Sequence, residues 1–336
     1  MPTMQDVANK ANVSLSTVSH ALSGKRPISK ETRERIQQAI EELGFHPNEL
    51  ARRLANKESK ILGLFFPRFQ TGLSDMQFEF IQAAIDSAES HGYAILLWRS
   101  PTSTDEVIKL TQQGLVDGVI LMEVRQKDER VDCLRDLNFP FSMIGRTEDN
   151  SGISFVDLDN SQAIQDAFQY LVEQGHSQIA YINYPESMVQ ANYGPAVYCY
   201  EGYQKALKKN GLKMITGCCE STSAAAYQVV SQLIRENPHL TALVTPNEAG
   251  LPGMYQVLQD AGKKIPADFS VIAIASQRRA ERLIPSLSTM DFPTEDEGRM
   301  GVDILVDSLQ EKDAAPIQKL LKAKLVIRQS SGPVLR

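Results

Sequence analysis

From Ile61 onward the chain repeats one pattern, and that pattern decides most of what it can become. Short apolar runs recur: "ILGLFFP", "YAILLW", "DGVILM", "PFSMIG", "ISFVDL", "QIAYIN", "TALVT" and "SVIAIA". Amphipathic stretches at helical spacing lie between them, several closing on a glycine: Gly92, Gly114, Gly175, Gly211 and Gly262. Continuously apolar strands belong to sheets covered on both faces, and alternation of strand with helix gives those sheets parallel order. The units are too many for one sheet, so the pattern predicts two doubly wound subdomains. A small ligand would sit in the crevice beyond the carboxyl ends of the strands.

The first 56 or so residues read as short helices instead. "TMQD" fits a capping box, with the Thr3 oxygen at the N-cap and the Asp6 carboxylate three residues on. Val7, Ala8 and Ala11 form one apolar face, which Asn12-Val13 breaks. A second helix follows Ser14, with Val18, Ala21 and Leu22 inward. Residues 24–27 make a turn. Ser29 caps a longer helix on which Ile36, Ala39, Ile40 and Leu43 recur at helical spacing, and Gly44 stops it. In "HPNELARRLANKES", Pro47 suits a first helical position, and so short a helix is marginal alone. That segment reads as one that orders only when held.

Charge separates the same two regions. Residues 1–60 carry ten Lys/Arg against seven Asp/Glu, an excess of three positive charges, whereas the whole chain is at −6 and the remainder therefore at −9. A basic head on an acidic body is what a partner polyanion would select. Two helices joined by a tight turn, the second rich in small hydroxyl side chains, match a helix-turn-helix, whose second helix enters the DNA major groove. Leu15, Ser16 and His20 would project outward. Hydroxyls and the helix N-terminus would meet phosphate, and Lys25 and Arg26 would add salt-sensitive attraction.

Other chemistries lack their signatures. No G-x-G-x-x-G follows a strand and no G-x-x-x-x-G-K-[ST] is present, so no nucleotide cofactor is expected. No G-x-S-x-G elbow and no H-E-x-x-H occur, so neither an enzyme nor a metal site is expected. His176 suits a helix-to-strand turn. Cys133, Cys199, Cys218 and Cys219 form no C-x-x-C pair, which fits reduced thiols and a cytoplasmic protein. The opening residues are polar and no apolar run is long enough to span a bilayer, so no membrane is expected.

The residues also carry a resemblance. The stretch "MQDVANKANVSLSTVSHALSGKRPISKETRERIQQAIEELGFHPNELARRLANKES" resembles the DNA-binding head and hinge of the lactose/galactose-repressor (LacI/GalR) family of bacterial transcription regulators. "DGVILM", "GRT", "VDLDN", "YLVEQGHSQIAYI", "EGYQKAL", "PNEAG", "AGKKIPADFSVIAIA" and "PSLSTMDFP" follow in that family's order, so the likeness covers essentially the whole chain. It implies an N-terminal helix-turn-helix head (1–46), a hinge helix and linker (47–60), and a periplasmic-binding-protein-like α/β body. The body would comprise an N-subdomain (61–160 plus 291–320) and a C-subdomain (161–290 plus 321–336), linked by three crossovers. Leu15, Ser16 and His20 would read bases, where many relatives carry Arg in place of His20. Thr3, Thr17, Ser29, Thr32, Asn48 and Ala51 would make further DNA contacts. Leu54 would wedge into the minor groove, although its residue pattern without the resemblance favours core packing with Leu50.

The resemblance places an effector between the lobes, and here the chain departs from the family. Cys199 stands where sugar-responsive relatives place Arg, and Ala275 and Ser276 stand where they place an acidic residue. Asn247 in "PNE" matches a ligand position, and Arg146 in "IGRT" resembles a variant among carbohydrate regulators. Trp98 is either a stacking face for a ligand or core packing at a strand end. The expected function is a sequence-specific transcriptional repressor of carbohydrate-related genes, modulated by a carbohydrate-like small molecule. The alternative is a cytoplasmic sensor that binds a small molecule but no operator. With two heads suited to a palindromic site on double-stranded operator DNA, and no leucine heptad at the end of the chain, a homodimer is expected.

Overall fold

The computed structural model describes residues 2–23, 26–45, 58–67, 74–100, 104–311 and 315–334. The chain divides into two compact units, Met1–Ser59 and Lys60–Arg336.

Among the described residues of the first unit, three helices close over one small core. Helix α1 (Met4–Ala11) starts at the capping box of Thr3 and Asp6 and ends at Asn12 in the left-handed region. Helix α2 spans Leu15–Ser23, and α3 (Lys30–Leu43) is capped by Ser29 and closed by Gly44 at φ +58°. Gly44 suits that turn because it has no Cβ to clash. Val7, Ala8, Ala11, Val18, Ile36, Ala39 and Phe45 are buried together, and Lys10 pairs with Glu42 at 2.7 Å between α1 and α3.

The second unit follows the alternation. In order come β1 (Ile61–Pro67), α4 (Asp75–Ser90), β2 (Ala94–Ser100), α5 (Thr104–Gln112), β3 (Gly118–Leu121), α6 (Glu129–Asp136), β4 (Phe141–Ile144) and β5 (Phe155–Leu158). Then come α7 (Asn160–Glu173), β6 (Ile179–Asn183), α8 (Glu186–Gln190), α9 (Gly194–Asn210), β7 (Thr216–Cys218), α10 (Ser223–Glu236), β8 (Ala242–Thr245), α11 (Leu251–Asp260) and β9 (Ser270–Ile274). The chain ends with α12 (Gln277–Arg282), β10 (Ser288–Asp291), α13 (Thr294–Gln310), β11 (Gln318–Leu321) and β12 (Lys324–Val326).

These strands form two six-stranded sheets, ordered β11-β5-β4-β3-β1-β2 and β12-β10-β9-β8-β6-β7. Every pairing is parallel except β10 with β12. The chain passes between sheets three times, after β5, after β10 and after β11. Each sheet is sandwiched by apolar clusters on both faces, which explains the uninterrupted apolar runs. Inside the second lobe Tyr181 stacks on Tyr203 with ring centroids 4.7 Å apart, and Phe168 packs on Tyr203 at a tilt with centroids 5.3 Å apart. Burying such a ring contributes roughly 1.5–3 kcal/mol.

Candidate functional sites

In the head, α2 presents the outward face that its sequence promised. Val18 is fully buried, whereas Leu15 is 45% exposed, Ser16 is exposed and His20 is half-exposed. The Ser14 hydroxyl accepts from the Thr17 backbone N–H at 3.1 Å and lies 2.7 Å from the hydroxyls of Ser16 and Thr17. This caps the helix and gathers three hydroxyls at its N-terminus, where the helix dipole favours an anion. Ser29 and Thr32 form the matching pair at the start of α3, with their hydroxyls 2.8 Å apart. Thr3 is engaged in its capping box, and its hydrogen bonds hold the Asp6 carboxyl below its ordinary range. Asn48, Ala51 and Leu54 lie outside the described residues.

In the body, a cavity of about 270 Å³ opens at the carboxyl ends of both sheets. That volume is near the small end of ligand pockets, which run from roughly 300 to 1,000 Å³. Glu123 follows β3, Asp157 lies within β5 next to its final residue Leu158, and Asn160 starts α7 on one side; Tyr184 follows β6, and Asn247 and Glu248 follow β8 on the other. Gln77 on α4, Tyr193 before α9, Arg279 on α12 and Glu297 on α13 complete the wall.

The lobes are joined across this cavity. Glu248 accepts the Ser276 backbone N–H at 3.2 Å and the Met76 backbone N–H at 3.5 Å, so one carboxylate holds both sides. Arg279 meets Asp75 at 3.1 Å. On the opposite flank Gln126 N–H donates to Asn192 C=O at 2.9 Å and Gly194 N–H to Val124 C=O at 3.1 Å.

The carboxyl groups sit in unlike surroundings. Burial pushes Asp157 up to about 6 although Arg146, at 2.5 Å, pulls it down. The Arg146 guanidinium also lies 3.8 Å over the Tyr198 ring. Burial raises Glu123 to about 8, only weakly opposed by Arg130, and it raises Glu248 and Glu297 as well. Glu123 has a left-handed backbone at φ +52°. Arg130, buried and paired bidentately with Asp128, donates to the carbonyls of Met122 and Glu123 and pins that turn.

Of the residues expected at the effector site, Asn247 lines the cavity, its amide donating to the Cys219 carbonyl at 3.0 Å. Arg146 stands behind Asp157 rather than in the wall. Cys199 is fully buried on α9, its sulfur 3.8 Å from the Asn160 side-chain oxygen, and so supports a wall residue from outside. Ala275 is buried at the end of β9; Ser276 caps α12 and donates its N–H to Glu248. Trp98 is elsewhere: it packs on the core beneath β2 and directs its indole N–H to Glu106 at 3.4 Å. Glu123, Asp157, Glu248, Glu297 and the two tyrosines were not anticipated. The available signal was an acid set directly on the end of an apolar run, as in "GVILME" and "FVDL".

Among the described residues no helix is long and apolar enough to cross a membrane. Residues 3–48 match the model of the bacterial regulatory proteins of the lacI family, and residues 168–331 match a periplasmic binding protein-like domain. The ribose operon repressor of Halalkalibacterium halodurans is 29% identical over 334 residues, covering 98% of this chain and 97% of that one. Catabolite control protein A of Priestia megaterium is 28% identical over 340 residues, covering 98% and 99%. Among solved structures, the transcriptional regulator CelR–cellobiose complex is 25% identical with a TM-score of 0.74, over 98% of this chain and all of that one. The lac repressor dimer bound to operator and anti-inducer has a TM-score of 0.84 at 24% identity, over 98% of each chain, and shows the same fold. The chain thus carries a lacI-family DNA-binding domain followed by a periplasmic-binding-protein-like domain, and along its length it is similar to transcriptional regulators of that build.

Proposed function

We propose that the protein is a transcriptional repressor of carbohydrate-related genes that binds operator DNA as a homodimer through α2 and releases or tightens it when a small molecule enters the body cleft. The observation that carries this is the outward face of α2, where Leu15, Ser16 and His20 remain accessible on a helix whose other side is sealed by Val18. Leu15 offers an apolar surface suited to a thymine methyl, and His20 a single hydrogen-bonding edge rather than the two-pronged grip of Arg. Ser16, Thr17, Ser29 and Thr32, at helix starts, are placed for phosphate oxygens. Leu54 serves as the minor-groove wedge, with Asn48, Ala51 and Thr3 on the backbone.

Relatives named for ribose and cellobiose support a sugar-type effector. Such a ligand acts only through its different affinity for the two body states, and the operator feels that difference reciprocally. The homology to regulators also supports a non-catalytic role, and a cytoplasmic location follows from that role.

Binding-site selection on randomised duplexes tests the reading. His20→Ala should relax preference at one base pair per half-site by about 1–3 kcal/mol while leaving the other positions intact. A profile identical to that of the parent removes His20 from the readers. Absence of any salt-sensitive retention on DNA would favour a sensor without an operator.

A further inference from the structure

The cavity wall is acidic well beyond its own cations. Among the described residues lining it Arg279 is the one cationic residue, and it is engaged by Asp75. Behind the wall, Arg146 is taken by Asp157 and Arg130 by Asp128. Among the described residues Glu123 and Glu297 form no ion pair of their own. Glu297 is 2% exposed, and Glu123 is 9% exposed with one oxygen accepting the Gln77 amide. The second oxygen of each carboxyl is buried with no hydrogen-bond partner. A buried carboxyl oxygen without a partner costs on the order of 1–3 kcal/mol, so the fold keeps two such oxygens aimed at one cavity at a standing cost.

Two aromatic rings face the same space. Tyr184 and Tyr193 meet edge to face with centroids 5.5 Å apart, and both line the cavity. Rings flanking carboxylates are the surroundings that an ammonium prefers, because the ring face and the carboxylate each present negative potential. Among the described residues of the wall a phosphorylated ligand would find no unengaged Arg or Lys and several carboxyls instead. Among the described residues no group of three or more His, Cys, Asp or Glu is placed to hold a metal ion, so the charge called for is organic.

We propose that the cleft receives a cationic ligand, a small hydroxylated amine of the amino-sugar type, whose ammonium is met by Glu123 and Glu297 between the rings of Tyr184 and Tyr193. This rests on the reading of the cleft as the effector site. Asn247 and Asn160 supply neutral polar contacts for the hydroxyls, and Glu248, already bonded to both lobes, senses that the site is filled. The raised proton affinity of the two acids fits, since burial, joined at Glu297 by the Asp157 charge, favours their neutral form until a cation arrives.

Calorimetry on the full chain tests it, using D-glucosamine and D-galactosamine against D-glucose, D-galactose and glucose 6-phosphate. The amines should bind at least about tenfold tighter than their hydroxyl counterparts, and the phosphate should not bind. Glu297→Gln and Glu123→Gln are near-isosteric and should each erase that preference while leaving the melting temperature undiminished; either variant suffices if the other fails to fold. Neutral sugars or the phosphate binding as tightly as the amines overturns the proposal, as does failure of both amines to bind at millimolar concentration. Operator affinity measured alongside separates the two readings. A neutral sugar that binds and shifts operator affinity leaves the regulator standing and removes the cation. An amine that binds without shifting it does the reverse.

Discussion

Glu123 shows how one residue carries a cost for a site. Its backbone is left-handed, which a side chain tolerates at roughly 1–3 kcal/mol, and its carboxyl is fully enclosed. Its proton affinity is raised from the ordinary glutamate value to about 8, so the folded chain holds a proton that the unfolded chain releases above about pH 4.5. Stability from this group therefore falls as pH rises through that window and levels off above it. Glu123→Gln should be more stable than the parent at pH 8, by an amount of order 1–3 kcal/mol, with the gap closing toward pH 5. Urea unfolding at the two pH values checks this; a gap that is constant with pH would mean that Glu123 is ionised throughout. Asn247, whose amide is held by the Cys219 carbonyl, was legible from "PNE" only through the family resemblance and not from any local pattern. Glu297 was not, because nothing in "TEDEGRM" distinguishes the one acid that faces inward from its exposed neighbours Glu295 and Asp296.

At the scale of elements, the cavity depends on helices that approach unusually closely. A Cβ added at Gly298 on α13 would lie 2.3 Å from the Phe80 carbonyl oxygen on α4, so only glycine permits that crossing. Phe80 and Glu297 both line the cavity, and the contact sets their separation. Gly298→Ala should destabilise the body by about 1–3 kcal/mol and weaken effector binding, which thermal melts and calorimetry would register together. Unchanged values for both would show that α13 can shift freely. Across the cleft, Arg279→Ala removes the partner of Asp75 and leaves a half-buried carboxylate unmatched. The expected result is weaker ligand binding with faster dissociation, read by stopped-flow, at little cost in melting temperature. Helix starts and ends were largely readable from the chain, since Thr3, Ser29 and Gly44 act through local hydrogen bonds and backbone preference. The closeness of two helices remote in sequence was not, because a lone glycine inside "EGRMG" says only that no side chain is there.

For the whole molecule, operator affinity should fall linearly with the logarithm of salt concentration, with slope about −0.9 for each phosphate neutralised. A repressor with several contacts per half-site would lose on the order of a thousandfold between about 50 and 200 mM salt, measured by anisotropy. A flat response would remove the phosphate contacts assigned to Ser16, Thr17, Ser29 and Thr32. The sequence by itself determined the two-part design, because hydrophobic periodicity and capping residues act over a few positions and report strand, helix and stop directly. It also determined which face of α2 turns outward, since Val18, Ala21 and Leu22 leave only one side apolar. Only the tertiary structure decided which polar residues share the cleft. Glu123, Glu297 and Tyr184 stand far apart along the chain, and the strands, helices and crossovers that bring them to one cavity are fixed by packing between lobes, which no local pattern encodes.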